Sequence, residues 1–250
     1  MMTALESVGK KRGRPSKKSA AARSGAADLS AASILKRALK LAKTVPLEEV
    51  SIVRLSKEFD VTPAAIHYYI STRGILISGV MNAFFRELLS TLPGPSGDWK
   101  METRECWQAL YTKLRKYKGV AHFMVSNNQL RLVQITSDTE EDYGLMVFDR
   151  VVSVFQKAGF GPENAALAWH LLAQTALSVS HSEAIGSVPR QTKASVLKRI
   201  GPERLSAFPG VEYAFEKLTD VDVDINRDAA LEMMLNYLEL LAKKKPHYPG

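Results

Sequence analysis

The stretch DVTPAAIHYYISTRG, residues 60 to 74, constrains the fold of this chain more than any other. Thr62 followed by Pro63 is a strong helix start. The threonine hydroxyl can accept from free first-turn amides, and proline at the first helical position loses no hydrogen bond while disfavouring helical geometry for Thr62. Just upstream, Ser51 is placed to cap another short helix that turns Ile52, Leu55 and Phe59 inward. Two short helices joined by a turn of two or three residues, the second opening on small and polar side chains, form the helix-turn-helix pattern. Its second member enters the major groove of duplex DNA.

The neighbouring sequence supplies partners for these helices. From Ser30, a suitable N-cap, Ile34, Leu35, Ala38, Leu41 and Ala42 recur at helical spacing, with Lys36, Arg37, Lys40 and Lys43 opposite, and Pro46 is expected to close this helix. Arg73 opens a longer helix to about Leu92, with Leu76, Val80, Ala83, Phe84 and Leu88 apolar, and the GPSG run at 94 to 97 marks a boundary. The chain thus divides into a basic tail (1–27), a helix-turn-helix domain (28–92) and a larger second domain (93–250). In the second domain only helices are expected, over 101–117, 120–127, 138–158, 163–185, 190–200, 211–218 and about 226–245. The fold class is all-α, a three-helix DNA-binding domain attached to a larger helical bundle.

Charge sharpens the functional reading because of where it lies. Of the formal net charge of +8, residues 1–27 supply seven Lys/Arg against one Glu, residues 28–91 eight against six, and the remainder is balanced. Positive charge gathered at one end is the footprint of a polyanionic partner, since each phosphate neutralised releases condensed counterions. The tail has no apolar periodicity, so disorder in free solution is expected. With no apolar run behind the basic start and a single cysteine, Cys106, the sequence predicts a cytoplasmic protein that neither enters a membrane nor carries an internal disulfide.

With these residues in view, the chain resembles the TetR family of transcriptional regulators. The resemblance runs from Ile34 to Leu89, through SIVRLSKEF, the DV turn, TPAAIHYYI and the basic residue that opens the next helix. More loosely, DW at 98–99, KGVAHF at 118–123, AGFGPEN at 158–164 and the apolar last helix resemble the effector domain of the tetracycline-repressor branch. The chain departs from the family pattern at Asp60, where glycine is usual, at His67, where tyrosine is usual, and at Ile70, where phenylalanine is usual. Asp tolerates left-handed geometry at modest cost, so the turn should persist.

The resemblance implies that Ser51 and the amide end of its helix touch phosphate, while Thr62, Pro63, Ala64, Ala65, His67, Tyr68 and Tyr69 face the groove. Alanines allow close approach to base edges, hydroxyl and imidazole groups can bond bases or phosphates, and Ile66 should point into the core. At least one of the two tyrosines is expected to be partly core. Arg73 opposes the dipole at a helix start, which a nearby phosphate would explain. In the tail, Arg12 and Arg14 lie in an Arg-Gly-Arg-Pro core that looks like an AT-hook. Two modes are open for it, non-specific phosphate attraction, which is favoured, and insertion into an A/T-rich minor groove.

The last helix carries two apolar stripes, Leu231/Met234/Leu235/Leu238/Leu241/Ala242 and Ala230/Met233/Tyr237/Leu240. So wide an arc needs both the domain's own core and a second surface. The helix containing Trp169 has no charged side chain between Glu163 and Glu183. By the resemblance, these two helices doubled by a two-fold axis form a four-helix bundle in a homodimer that spaces two recognition helices on a pseudo-palindromic operator. His170, Gln174, Ser178 and His181 share one sector of the Trp169 helix. Dimer contact ranks first for them, pocket lining second and metal ligation third.

By resemblance and helical phase, Cys106, Leu110, Phe148, Val151, Val152, Trp169 and Ala173 face an effector cavity, with Gln174 at its edge. Phe123 stands where the tetracycline-repressor branch places a histidine that helps bind a magnesium chelate. A phenyl ring coordinates no cation, so the expected ligand is apolar and metal-independent, with a solid core as the alternative. A hydrolase using His122, His170 or His181 is the rival class, but no phosphate loop, nucleotide fingerprint, nucleophile elbow or zinc motif is present. No catalytic residue, cofactor or metal is therefore assigned. A regulator controlled by a protein partner remains the alternative function, and an architectural DNA-binding protein would not need the aromatic-rich second domain.

Overall fold

The computed structural model describes residues 29–127, 141–184, 193–219 and 222–243. The basic tail with Arg12 and Arg14 lies outside the described residues. Twelve α-helices and one short 3-10 turn account for the regular structure among the described residues, and no strand occurs there.

Local chemistry fixes the first four helices. In α1 (Ala31–Leu41) Ser30 and Ser33 form a reciprocal cap, the Ser30 hydroxyl accepting from Ser33 N at 3.1 Å and the Ser33 hydroxyl from Ser30 N at 2.9 Å. A 3-10 turn at Leu47–Glu49 leads to α2 (Ile52–Phe59), whose N-cap Ser51 accepts from Arg54 N at 3.2 Å. Asp60 ends α2 in left-handed geometry, φ 53°, as the turn requires. Thr62 then accepts from Ala65 N at 3.3 Å and opens α3 (Pro63–Tyr69), and Thr72 accepts from Ile75 N at 3.2 Å and opens α4 (Arg73–Leu89). Ile34, Ala38, Leu55, Ile66, Ile70, Leu76 and Val80 fill the space between these helices.

The second part is built on α5 (Trp99–Lys116) and α8 (Pro162–Ala184), which pack along each other. The buried Trp107 donates its indole N–H to Thr175 Oγ1 at 2.9 Å, and its ring stacks on Tyr111. Around this pair lie α6 (Lys118–Ser126), α7 (Tyr143–Lys157) and α12 (Val223–Lys243). Three short helices, α9 (Lys193–Ile200), α10 (Pro202–Ser206) and α11 (Pro209–Thr219), contact one another. Asn82, buried in α4, ties the two parts: its Nδ2 donates to Glu141 O and its Oδ1 accepts from Tyr143 N, both at 2.9 Å, at the start of α7. Buried side chains form one continuous cluster from Ile34 to Leu241.

Several bounds differ from the sequence reading for local reasons. Helix α1 stops at Leu41, before Pro46, because Thr44 and Val45 turn back onto Leu41 O. Helix α4 stops at Leu89 rather than Leu92, where Thr91 N and Leu92 N bond Leu88 O and Leu89 O in a tight turn. Asp222 starts α12 three residues early by accepting from Asp224 N and Ile225 N. Helix α10 was not foreseen, since five residues are too few for a periodic signal.

Candidate nucleic-acid interface and interior cavity

Helix α3 has two faces. Ile66 is buried, and so is its cap residue Ile70, while Thr62, Pro63, Ala64, His67, Tyr68 and Tyr69 are exposed and Ala65 is half-buried. The expectation that one tyrosine would be partly core is corrected. Tyr68 is 83% and Tyr69 40% exposed, and their rings meet edge-on at 5.1 Å on the outside. A seven-residue helix with Ile66 and Ile70 inward has no second face left to bury. Ser51 is half-buried, with its hydroxyl engaged as a cap.

Arg73 does not need a phosphate to account for its position. Its Nη2 donates to Glu48 O at 2.7 Å, a carbonyl in the middle of the 3-10 turn, and the residue remains exposed at the start of α4.

Inside the second part, α4, α5, α6, α7 and α8 enclose an apolar cavity. Cys106, Leu110, Val151, Trp169 and Ala173 line it as expected, joined by Phe85, Leu88 and Leu92 from the α4 end and by Val147 and Met124. Its free volume is about 20 Å³, room for little more than one water. Four expected lining residues do not line it. Phe148 and Val152 sit one helical step from Val147 and Val151 and border an outer groove beside Phe160. Gln174, one step from Ala173, is exposed, and Phe123 is buried in the core while the next residue, Met124, reaches the cavity. Burial, and then the charge of Glu102, push the Cys106 thiol up to about 12, so it stays protonated at neutral pH. The α4 contribution was missed because its apolar side chains were assigned to the DNA-binding domain alone.

The candidate dimer residues fall on adjacent helices. His170 and Ser178 are exposed on α8, and on α12 Met233 is 68% and Leu240 58% exposed, with Tyr237 exposed between them. The other α12 stripe, Leu231, Met234, Leu235, Leu238 and Leu241, is buried, although Ala242, expected with it, is exposed. His181 departs from the exposed row. It is half-buried against His122, ring centroids 5.7 Å apart, and its Nδ1 is buried without a hydrogen-bond partner. Burial, then the nearby His122, hold its pKa below the usual imidazole value. Among the described residues no group of three or more His, Cys, Asp or Glu is placed to hold a metal ion. No described helix is long and apolar enough to cross a membrane.

This arrangement is an all-helical fold that solved TetR-family structures share. No protein-family model matches the chain, and no curated protein is significantly similar to it in sequence. Solved structures are similar. Apo ActR from Streptomyces coelicolor matches at TM-score 0.69 with 18% identity, covering 86% of this chain and 99% of that one. The same TetR family protein in complex with actinorhodin matches at TM-score 0.68 with 19% identity, over 86% and 99% of the two chains. A TetR variant from Acinetobacter baumannii in complex with minocycline matches at TM-score 0.59 with 15% identity, over 87% and 100%. The fold expected from the sequence is thus the fold observed.

Proposed function

We propose that this chain is a DNA-binding transcriptional regulator that acts as a homodimer on a pseudo-palindromic operator and is released by a small, largely apolar ligand. The observation that carries the reading is the double role of α4. Its first residue follows α3 after a three-residue link, and there Arg73 is tied to Glu48, while Phe85 and Leu88 near its other end wall the apolar cavity. A ligand that enlarges the cavity must displace α4 or its neighbours and so re-aim α3. The ligand shifts DNA affinity only as far as it binds the two arrangements differently.

In this reading residues 28–92 read DNA, with Ser51 and the α3 face in contact and Arg73 close enough to add a phosphate contact, while residues 93–250 dimerise and, together with Phe85, Leu88 and Leu92 at the end of α4, bind effector. Repression by occupancy of a promoter, a cytoplasmic location and the absence of catalysis belong to the same proposal. The structural neighbours with bound actinorhodin and minocycline support a ligand-responsive role. The test is to titrate apolar and aromatic compounds against operator release with EDTA present. Release at unchanged EDTA supports the reading, and release that strictly requires a divalent cation overturns its apolar, metal-independent part.

Control by a protein partner is a second reading, and one observation favours it. Tyr213 in α11 is 95% exposed, and Phe208 just before that helix and Leu218 near its end are also exposed. Release by a small compound alone decides for the first reading.

A further inference from the structure

Among the residues that line the cavity two carry a hydrogen-bond donor, Cys106 and Trp169, and the only acceptors are the weak sulfurs of Cys106 and Met124. Cys106 presents a thiol that stays protonated, a weak donor. Trp169, on α8, is 4% exposed, lines the cavity, and its indole N–H is buried without a hydrogen-bond partner. The other large indole of this core, Trp107, has its N–H satisfied by Thr175, so burial alone does not force an indole in this bundle to go unpaired. Phe148 stands at right angles to Trp169 with ring centroids 5.3 Å apart, and an aromatic face is at best a weak acceptor. A buried donor that has lost water and gained no protein acceptor is a costly feature, which a ligand acceptor would repay.

Resting on the cavity reading above, we infer that the effector is a neutral, apolar or aromatic compound bearing a carbonyl or ether oxygen, and that Trp169 donates its indole N–H to that oxygen. A lining with an unpaired indole N–H and only weak sulfur acceptors selects for a ligand that brings an acceptor. A carboxylate is disfavoured, because none of the cavity-lining side chains carries a charge to compensate an anion. Trp169 therefore sets which apolar compounds are bound, while the volume of the cavity sets how far the helices must part. That cost is shared by ligands of equal shape and cancels in their ratio.

The test uses 2-acetylnaphthalene and 2-ethylnaphthalene, nearly identical in shape and differing by the carbonyl oxygen, against the full chain and its Trp169→Phe variant. By isothermal titration the variant is expected to lose about tenfold in affinity for the acetyl compound and less than about twofold for the ethyl compound. Retained binding of the ethyl compound also shows that the variant is folded. A second measurement needs no variant: in the wild-type chain labelled with 15N-tryptophan, the acetyl compound should shift the Trp169 indole N–H resonance downfield relative to the ethyl compound. If both compounds bind but their ratio is the same in the variant and the resonance does not distinguish them, the inference is overturned and the cavity reading survives. If neither binds the wild-type chain, the cavity reading fails and the inference with it.

Discussion

The amide of Gly119, in the first turn of α6, donates to the carbonyl of Ala42 at 2.8 Å, so the second part of the chain grips the end of α1 by its backbone. The approach is close enough that a Cβ on Gly119 would stand 2.0 Å from Val45 O. Helix α6 also packs on the 3-10 turn, and Asn127 donates to Glu48 Oε1 at 3.2 Å. Because Arg73 donates to the backbone carbonyl of the same Glu48, movement of α6 bears on the start of α4 through one residue.

Gly119→Ala should therefore force α6 away from α1 and destabilise the chain by about 1–3 kcal/mol, as overpacking against backbone does. Urea unfolding of the wild type and variant checks this. An unchanged midpoint would mean that the α1–α6 contact is looser than described.

If the chain dimerises as proposed, Met233→Glu and Leu240→Glu should each weaken or abolish the homodimer while leaving the protomer folded, since both side chains already stand mostly exposed beside the buried stripe of α12. Sedimentation should show a shift toward monomer with unchanged far-ultraviolet circular dichroism. Unaltered dimer would move the interface elsewhere.

Deleting residues 2–24, which carry all seven Lys/Arg of the tail, should weaken DNA binding and flatten its dependence on salt while preserving the preferred sequence. Lost preference for flanking A/T tracts at an unchanged salt slope would instead assign Arg12 and Arg14 to minor-groove reading.

Stability should fall as pH drops below the ordinary imidazole value of 6.5, in part through His181. Burial and His122 depress its folded pKa, so between the folded and unfolded values the unfolded chain binds more protons. The stabilisation is present above 6.5 and lost as pH falls through the lower folded value. His181→Gln should reduce that slope in urea titrations at pH 5 to 8, and an identical slope in the variant would contradict the assignment.

What the sequence disclosed follows the range of the forces involved. Ser30, Ser51, Thr62 and Pro63 act on amides within one turn, so the starts of α1, α2 and α3 were legible, as was Ile66 facing inward. Phase was harder to read where helices are apolar on several sides. Phe148 and Val152 are as apolar as Val147 and Val151, and only the packing of α7 against α4 and α8 chooses which pair meets the cavity. The partner of Arg73 was illegible for a different reason, because Glu48 offers a backbone carbonyl, and any residue at that position would. The Gly119 contact likewise depends on where the second part docks, which no local pattern encodes.

If the exposed face of α3 reads a specific DNA site, as proposed, selection of bound fragments from random duplex DNA will reveal it. The wild-type chain should enrich one pseudo-palindromic sequence with half-sites about one helical turn, or a multiple, apart. His67→Ala and Tyr68→Ala should each cost about 1–3 kcal/mol in affinity for base-reading contacts and relax the enrichment there, with little change in thermal stability because both residues are exposed. Enrichment of no sequence by the wild type, or wild-type affinity in both variants, would contradict the account.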